Sequence, residues 1–264
     1  MVRCNRCGNE NPSEAFVCAF CAAKLKTESI ERIKYFERPE KRWKRPQGTL
    51  TRFKQVFTNP SELFWDLRYD EKHRGGGYVI LIDAALFGLL GLVLASKIVY
   101  SVTFWQQGLT SLSIFIAFFA LGLVYHLMLF GFLSLLFRMV AVRVGGKKQS
   151  HSFEAMLYAF FPSIVGNGVS LLILLIALPA VPFAQNDLFA ALTPLFQSPA
   201  WVFVDIINLV IYAGWVPILA ALGIRSLHEI STTRSITGCY IVGILVALLL
   251  IITRGTFFPS AVAP

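Results

Sequence analysis

YVILIDAALFGLLGLVLASKIVYSV, residues Tyr78–Val102, is the first stretch of this chain that reads as a bilayer crossing. It holds one acid, Asp83, and one base, Lys97, and is otherwise almost wholly apolar. A hydrocarbon core of about 30 Å needs roughly 20 helical residues at a rise of about 1.5 Å each, so the stretch is long enough. Four more stretches follow it, Leu112–Leu136, Ala155–Val181, Trp201–Leu222 and Ile236–Ile252, and the second can run on to Val144. With 56% hydrophobic residues, 15% charged residues and a mean hydropathy of +0.63, the composition lies outside the range of soluble globular chains. The predicted fold is an all-α polytopic membrane protein, a five-transmembrane-helix bundle with a small N-terminal zinc ribbon.

Orientation follows from the basic residues. Of the 24 Lys and Arg, sixteen precede Tyr78. Arg138, Arg143, Lys147 and Lys148 lie between the second and third spans, and Arg225 and Arg234 between the fourth and fifth. The other face receives Lys97 and Arg254, with Asp187 the only charge between the third and fourth spans. Loops rich in Lys and Arg are retained on the cytosolic side, so the N-terminus is expected in the cytosol and the C-terminus outside or in a lumen. The start of the chain shows no signal-peptide pattern, which agrees.

In a reducing compartment clustered cysteines hold metal rather than disulfides. Cys4 and Cys7 form one C-x-x-C pair and Cys18 and Cys21 a second, ten residues later. Two such pairs at the ends of a short hairpin supply the four soft ligands of a tetrahedral Zn2+, leaving no open position for catalysis. One structural zinc is therefore expected, with a redox dithiol as the alternative. Some 25 residues bury little core, so metal binding would supply most of the folding free energy. Cys239, alone in an apolar run, reads as packing.

Between the cysteines and the first span lies a basic linker broken by Pro39, Pro46 and Gly48. Lys41, Arg42, Lys44 and Arg45 flank Trp43, and Arg52 and Lys54 accompany Leu50, Phe53, Val56 and Phe57 at helical spacing. This pattern suits a segment lying on an anionic membrane surface; a solvated tether is the alternative. In NPSELFWDL, Asn59 can cap a helix, Pro60 suits its first position and Glu62 completes a capping box. The chain thus divides into a ribbon (1–25), the linker (26–58), a juxtamembrane helix with a glycine hinge (59–77), the membrane domain (78–256) and a tail (257–264).

Charged and amide side chains inside spans are functional candidates, although bundles also bury them for structural reasons. Asp83, Lys97, Asn167 and Asp205 qualify. Lys97 and Asp205 should sit at similar depth and pair; the alternative is that Lys97 snorkels and Asp205 faces interfacial water. His126 reads as a packing residue. FFPSIVGNGVS, with Pro162, Gly166, Asn167, Gly168 and Ser170, can be either a broken transporter helix or a close helix contact. No H-E-x-x-H, G-x-S-x-G or phosphate-cradling glycine loop is present, so no enzyme and no catalytic residue is expected.

The start of the chain, with CNRCG, NENPSEAF and CAFCAAKL, resembles the short zinc ribbons of many prokaryotic membrane proteins, with Ala22 where a glycine usually follows the second pair. Farther on, WVPILAALGIRSLHEISTTRSITGCYIVGIL carries Trp215, Leu219, Gly223, Arg225, His228, Ser231 and Arg234 ahead of the last span. It resembles the closing signature of the Ypt-interacting-protein (Yip) domain family. FTNPSELFWDL, with Pro60 and Phe64, resembles that family's entry segment, and FEAMLYAFFPSIVG, with Tyr158 and Pro162, its third-span motif. The resemblance runs from about Val56 to Gly255 and implies five spans with a cytosolic N-terminus. Eukaryotic relatives associate with small Rab-type GTPases in vesicle formation. The Asp-Leu-Tyr-Gly-Pro stretch of those members is absent and a ribbon is prepended, which points to a prokaryotic branch and gives no support for a small GTPase partner.

The expected function is that of a non-enzymatic scaffold or adaptor in the cell membrane, presenting the ribbon to a protein partner and its basic linker to anionic lipid. Nucleic acid is a disfavoured partner, because adjoining lipid competes for so short a basic segment, and homo-oligomers stay open. The alternative is a small transporter or channel built on the third span.

Overall fold

A computed structural model describes residues 1–40, 43–70, 75–99, 104–145, 152–182 and 193–257. Lys41, Arg42, Lys147, Lys148, Asp187 and the tail beyond residue 257 lie outside the described residues. Two strands, β1 (Val2–Arg3) and β2 (Glu10–Asn11), pair antiparallel in the cysteine region. Two 3-10 turns follow at Ser29–Arg32 and Lys34–Phe36. Then come α1 (Thr49–Thr58), α2 (Pro60–Tyr69), α3 (Gly77–Ser96), β3 (Ile98–Val99), α4 (Phe104–Arg143), α5 (Ser152–Leu157), a 3-10 turn at Tyr158–Phe160 and α6 (Phe161–Ala177). The chain continues with β4 (Val181–Pro182), α7 (Ala200–Leu209), a π-helical segment (Val210–Trp215), α8 (Val216–His228) and α9 (Thr232–Phe257).

Five helices among the described residues are long and apolar enough to cross a membrane: Gly77–Ser96, Gln107–Arg143, Tyr158–Ala177, Ala200–His228 and Thr232–Leu249. The first ends earlier than its apolar run suggests. After Ser96 the chain turns extended, and β3 pairs in parallel with β4 through Ile98↔Val181 and Val99↔Pro182. Lys97 carries the joining bond, its carbonyl accepting from Val181 N–H at 2.7 Å. α4 continues to Arg143 and, at about 60 Å by helical rise, exceeds any hydrocarbon core.

The third span breaks at Tyr158–Phe160, ahead of Pro162, and α6 then runs regularly through Gly166, Asn167, Gly168 and Ser170. Of the two readings of this stretch, the broken helix finds no break at these residues, and a methyl group on Gly166 would lie 2.9 Å from Ile211, as in a close helix contact. A proline in the first turn of a helix loses no hydrogen bond, and the other four stay within the 3.6-residue repeat. The irregular turn in the fourth span lies instead at Val210–Trp215.

The chain forms two compact units. One comprises Met1–Gly77, Gly131–Phe161 and Val216–Val242. Its core gathers Val56, Leu63, Phe64, Leu67, Met156, Tyr158, Phe160, Leu219 and Leu222, all buried. Asn59 caps α2 as its sequence predicts: its Oδ1 accepts from Glu62 N–H, and its Nδ2 donates to Glu62 Oε2 at 2.9 Å.

The other unit comprises Tyr78–Phe130, Pro162–Trp215 and Gly243–Pro264. Here α3 and α4 interlock by glycine–phenylalanine exchange. A methyl group on Gly91 would lie 2.5 Å from Phe118 Cγ, one on Gly88 2.7 Å from Phe115, and one on Gly122 2.6 Å from Phe87 Cβ. Small residues let backbones approach where lipid tails offer no hydrophobic drive to associate. His126 is buried, bonds Gly122 carbonyl at 2.7 Å and meets Phe87 and Phe130, in line with the packing reading.

Candidate functional site

The two C-x-x-C segments fold alike. In the first, Cys4 N–H donates to Asn9 carbonyl at 2.9 Å and Gly8 N–H to Cys4 carbonyl at 2.9 Å. In the second, Cys18 N–H donates to Ala23 carbonyl at 2.8 Å and Ala22 N–H to Cys18 carbonyl at 3.0 Å. The offsets match, so Ala22 occupies the position of Gly8. Both have positive φ, 57° for Ala22 and 76° for Gly8. The turn therefore forms with alanine, at the cost of a left-handed conformation that L-residues disfavour by about 1–2 kcal/mol.

All four Sγ atoms lie within 4.8 Å of one another, with Cys4–Cys21 and Cys7–Cys18 both at 3.6 Å. A tetrahedron with metal–sulfur bonds of about 2.3 Å has edges near 3.8 Å, so thiols gathered this closely can hold a metal ion. Donors surround them: Arg6 N–H reaches Cys4 Sγ at 3.4 Å and Asn11 Nδ2 reaches Cys18 Sγ at 3.5 Å. Burial pushes the Cys18 thiol up, but the N–H groups of Cys21 and Phe20 and the Asn11 amide outweigh it and bring it down to about 6. Such donors favour thiolate, the form that binds metal. Asn11 is itself buried and fixed by Ala19 N–H at 3.0 Å. Nothing in its sequence setting singles it out; its role emerges when the hairpin closes.

The linker does not hang free. Arg38 lies over the Phe16 ring at 4.2 Å, donates from Nε to Glu31 Oε1 at 2.6 Å and from Nη2 to Ile230 carbonyl at 2.7 Å. Arg225, 1% exposed in α8, donates to Phe36 carbonyl at 2.5 Å, Thr232 Oγ1 at 3.0 Å and Ser61 Oγ at 2.8 Å. Glu28 accepts from Ser231 hydroxyl and from Thr232 N–H, both at 2.5 Å, which caps α9. Lys24 pairs with Glu37 at 3.0 Å and Glu40 at 3.4 Å. The cysteine hairpin and residues 28–38 thus form a strap docked on α2, α8 and α9 through buried charges.

Two residues expected at a lipid surface also turn inward. Arg52 is 1% exposed and donates to Asp66 Oδ2 at 2.9 and 2.7 Å and to Asp70 Oδ2 at 2.5 Å. Trp43 donates from Nε1 to Asp66 Oδ1 at 2.9 Å and lies beside Tyr69. Of the acids that capture them, Asp66 sits in α2 and Asp70 just past its end, and the linker pattern alone does not reveal either. Lys44, Arg45 and Lys54 stay exposed, as does Leu50.

The signature residues fall into place around the strap. Pro60 is the first residue of α2, and Phe64 packs across Gly223, where a methyl group would come within 3.0 Å of the ring. Tyr158 is fully buried beside Phe53. His228 is buried, Ser231 binds Glu28, and Arg234 is exposed on α9. Trp215 closes the π segment and Pro162 is buried at the start of α6. In the second unit Ser163 and Asn167 converge on Asp83. Lys97 and Asp205 are both half-buried; their pairing remains a proposal.

Five helices fit to cross a membrane, joined to a four-thiol hairpin, define an integral membrane protein of the multi-pass helical class. The Yip1 domain family matches residues 54–253, about three quarters of the chain, and this protein belongs to that family. No curated protein and no solved structure matches it.

Proposed function

We propose that this protein is a non-enzymatic membrane scaffold that holds a zinc-stabilised, thiol-ligated head rigidly on the cytosolic face of its Yip1 domain. The observation that carries the reading is the Glu28–Glu31–Arg38–Arg225 network, which bonds the strap to α8 and to the start of α9. A head fixed this way is a docking platform with a set orientation, which lowers the ordering cost of binding a partner. The exposed Lys44, Arg45 and Lys54 beside it suit contact with anionic headgroups. Zinc is favoured by the all-thiolate tetrahedral donor set, and the cytosolic placement by the lopsided Lys and Arg distribution.

Crosslinking in cells, followed by comparison of the native chain with a variant carrying Ser at Cys4, Cys7, Cys18 and Cys21, tests the platform role. The variant should lose a defined set of captured proteins; identical sets from both chains contradict the reading. Purified protein should carry about one zinc per chain, as the four-thiol site requires.

A further inference from the structure

Asp83 lies six residues into α3, about 9 Å along the helix axis, and its exposure is 0%. Its Oδ2 accepts from the Ser163 hydroxyl and its Oδ1 from Asn167 Nδ2 at 2.9 Å, both on α6. No Lys, Arg or His among the described residues supplies it with a counter-charge. The groups facing it from other elements are Tyr125 on α4 and Tyr212 in the π segment, both within its electrostatic reach and both neutral phenols. Ser163 lies close enough to Tyr212 to act on its phenol.

A carboxylate enclosed in a low-dielectric interior without a cation is costly, and two neutral donors offset only part of that cost. Intramembrane acids of this kind carry protons or cations in transport and relay sites. Two features select the proton. Asn167 donates from its NH2 group to Oδ1, which leaves Oδ2, facing Ser163, to carry the proton. A serine hydroxyl both donates and accepts, so Ser163 can reverse its bond when Asp83 gains or loses a proton. π turns also recur at functional sites, and the one here widens the fourth span where Tyr212 meets Ser163.

We propose that Asp83, Ser163, Asn167 and Tyr212 form an intramembrane proton-binding site. With the site filled, the neutral carboxyl donates its proton to Ser163 Oγ. On release the proton passes to water, and Ser163 donates to the carboxylate instead.

Infrared spectroscopy of the purified full-length protein in lipid tests this. At neutral pH a carboxylic-acid C=O band should be present, shift on exchange into D2O, disappear in Asp83→Asn and move in Ser163→Ala. Added sodium should leave it unchanged. Absence of the band in the native chain overturns the proposal, and so does its loss on adding sodium, which would make the site a cation site. Dicyclohexylcarbodiimide gives a readout that needs no variant. It adds to neutral carboxylic acids in apolar surroundings, and peptide mass analysis should find one adduct on Asp83. An unmodified Asp83 together with a missing band refutes the site.

Discussion

Gly8 and Ala22 show how a single methyl group tunes a C-x-x-C turn. Both positions close a C-x-x-C turn with positive φ, and only Gly8 does so without penalty. Ala22→Gly should therefore stabilise the head by about 1 kcal/mol, the lower end of the left-handed penalty after allowing for the added freedom of the unfolded chain. Competition with a chelator measures this: the variant should retain its metal at roughly fivefold higher chelator activity. Equal retention would mean that the second turn relaxes without its metal.

At the scale of an element, the start of α9 is held from outside its own sequence. Glu28 caps it from the strap through Ser231 and Thr232. Burial pushes the Glu28 carboxyl up, but its bonds from Ser231 and Thr232 prevail and hold it below its ordinary value of 4.5. A carboxyl lowered in the folded state stabilises above about pH 4.5 and loses that contribution as pH falls through its folded value. Limited proteolysis between residues 26 and 48 should accelerate in that acid window, and Glu28→Gln should accelerate it already at neutral pH. The α3–α4 contact offers a second test. Gly91→Ala would drive a methyl group into Phe118, at an overpacking cost of about 1–3 kcal/mol against a helix-propensity gain of about 1 kcal/mol. A lower thermal midpoint in detergent is the expected result, since the nearest atoms include Phe118 Cβ and cannot swing clear.

The whole molecule joins a four-thiol head to a membrane domain of long apolar helices. Among the head's residues only Cys4, Cys18 and Ala23 form a buried cluster, far too little apolar surface to fold some 25 residues unaided. Stripping the metal should unfold the head, expose residues 28–38 to protease and leave the helical circular dichroism of the spans almost unchanged. Loss of most helical signal on chelation would show that head and bundle fold as one unit. Much of this architecture was legible beforehand. Five apolar stretches, two C-x-x-C pairs and the Asn59–Glu62 cap are local patterns, set by bilayer thickness, ligand number and one helical turn. Local sequence alone determined the spans and the thiol cluster, because a bilayer crossing and a C-x-x-C turn are each set by neighbouring residues. The strap, the inward turn of Arg52 and Trp43 and the meeting of Asp83 with Ser163 and Asn167 were decided only by the tertiary structure. Glu28 and Thr232 are 204 residues apart, Arg38 and Ile230 are 192 apart, and Asp83 and Asn167 are 84 apart. At such separations a charge finds its partner only after the helices have packed, and no periodicity in the chain records which one it will be.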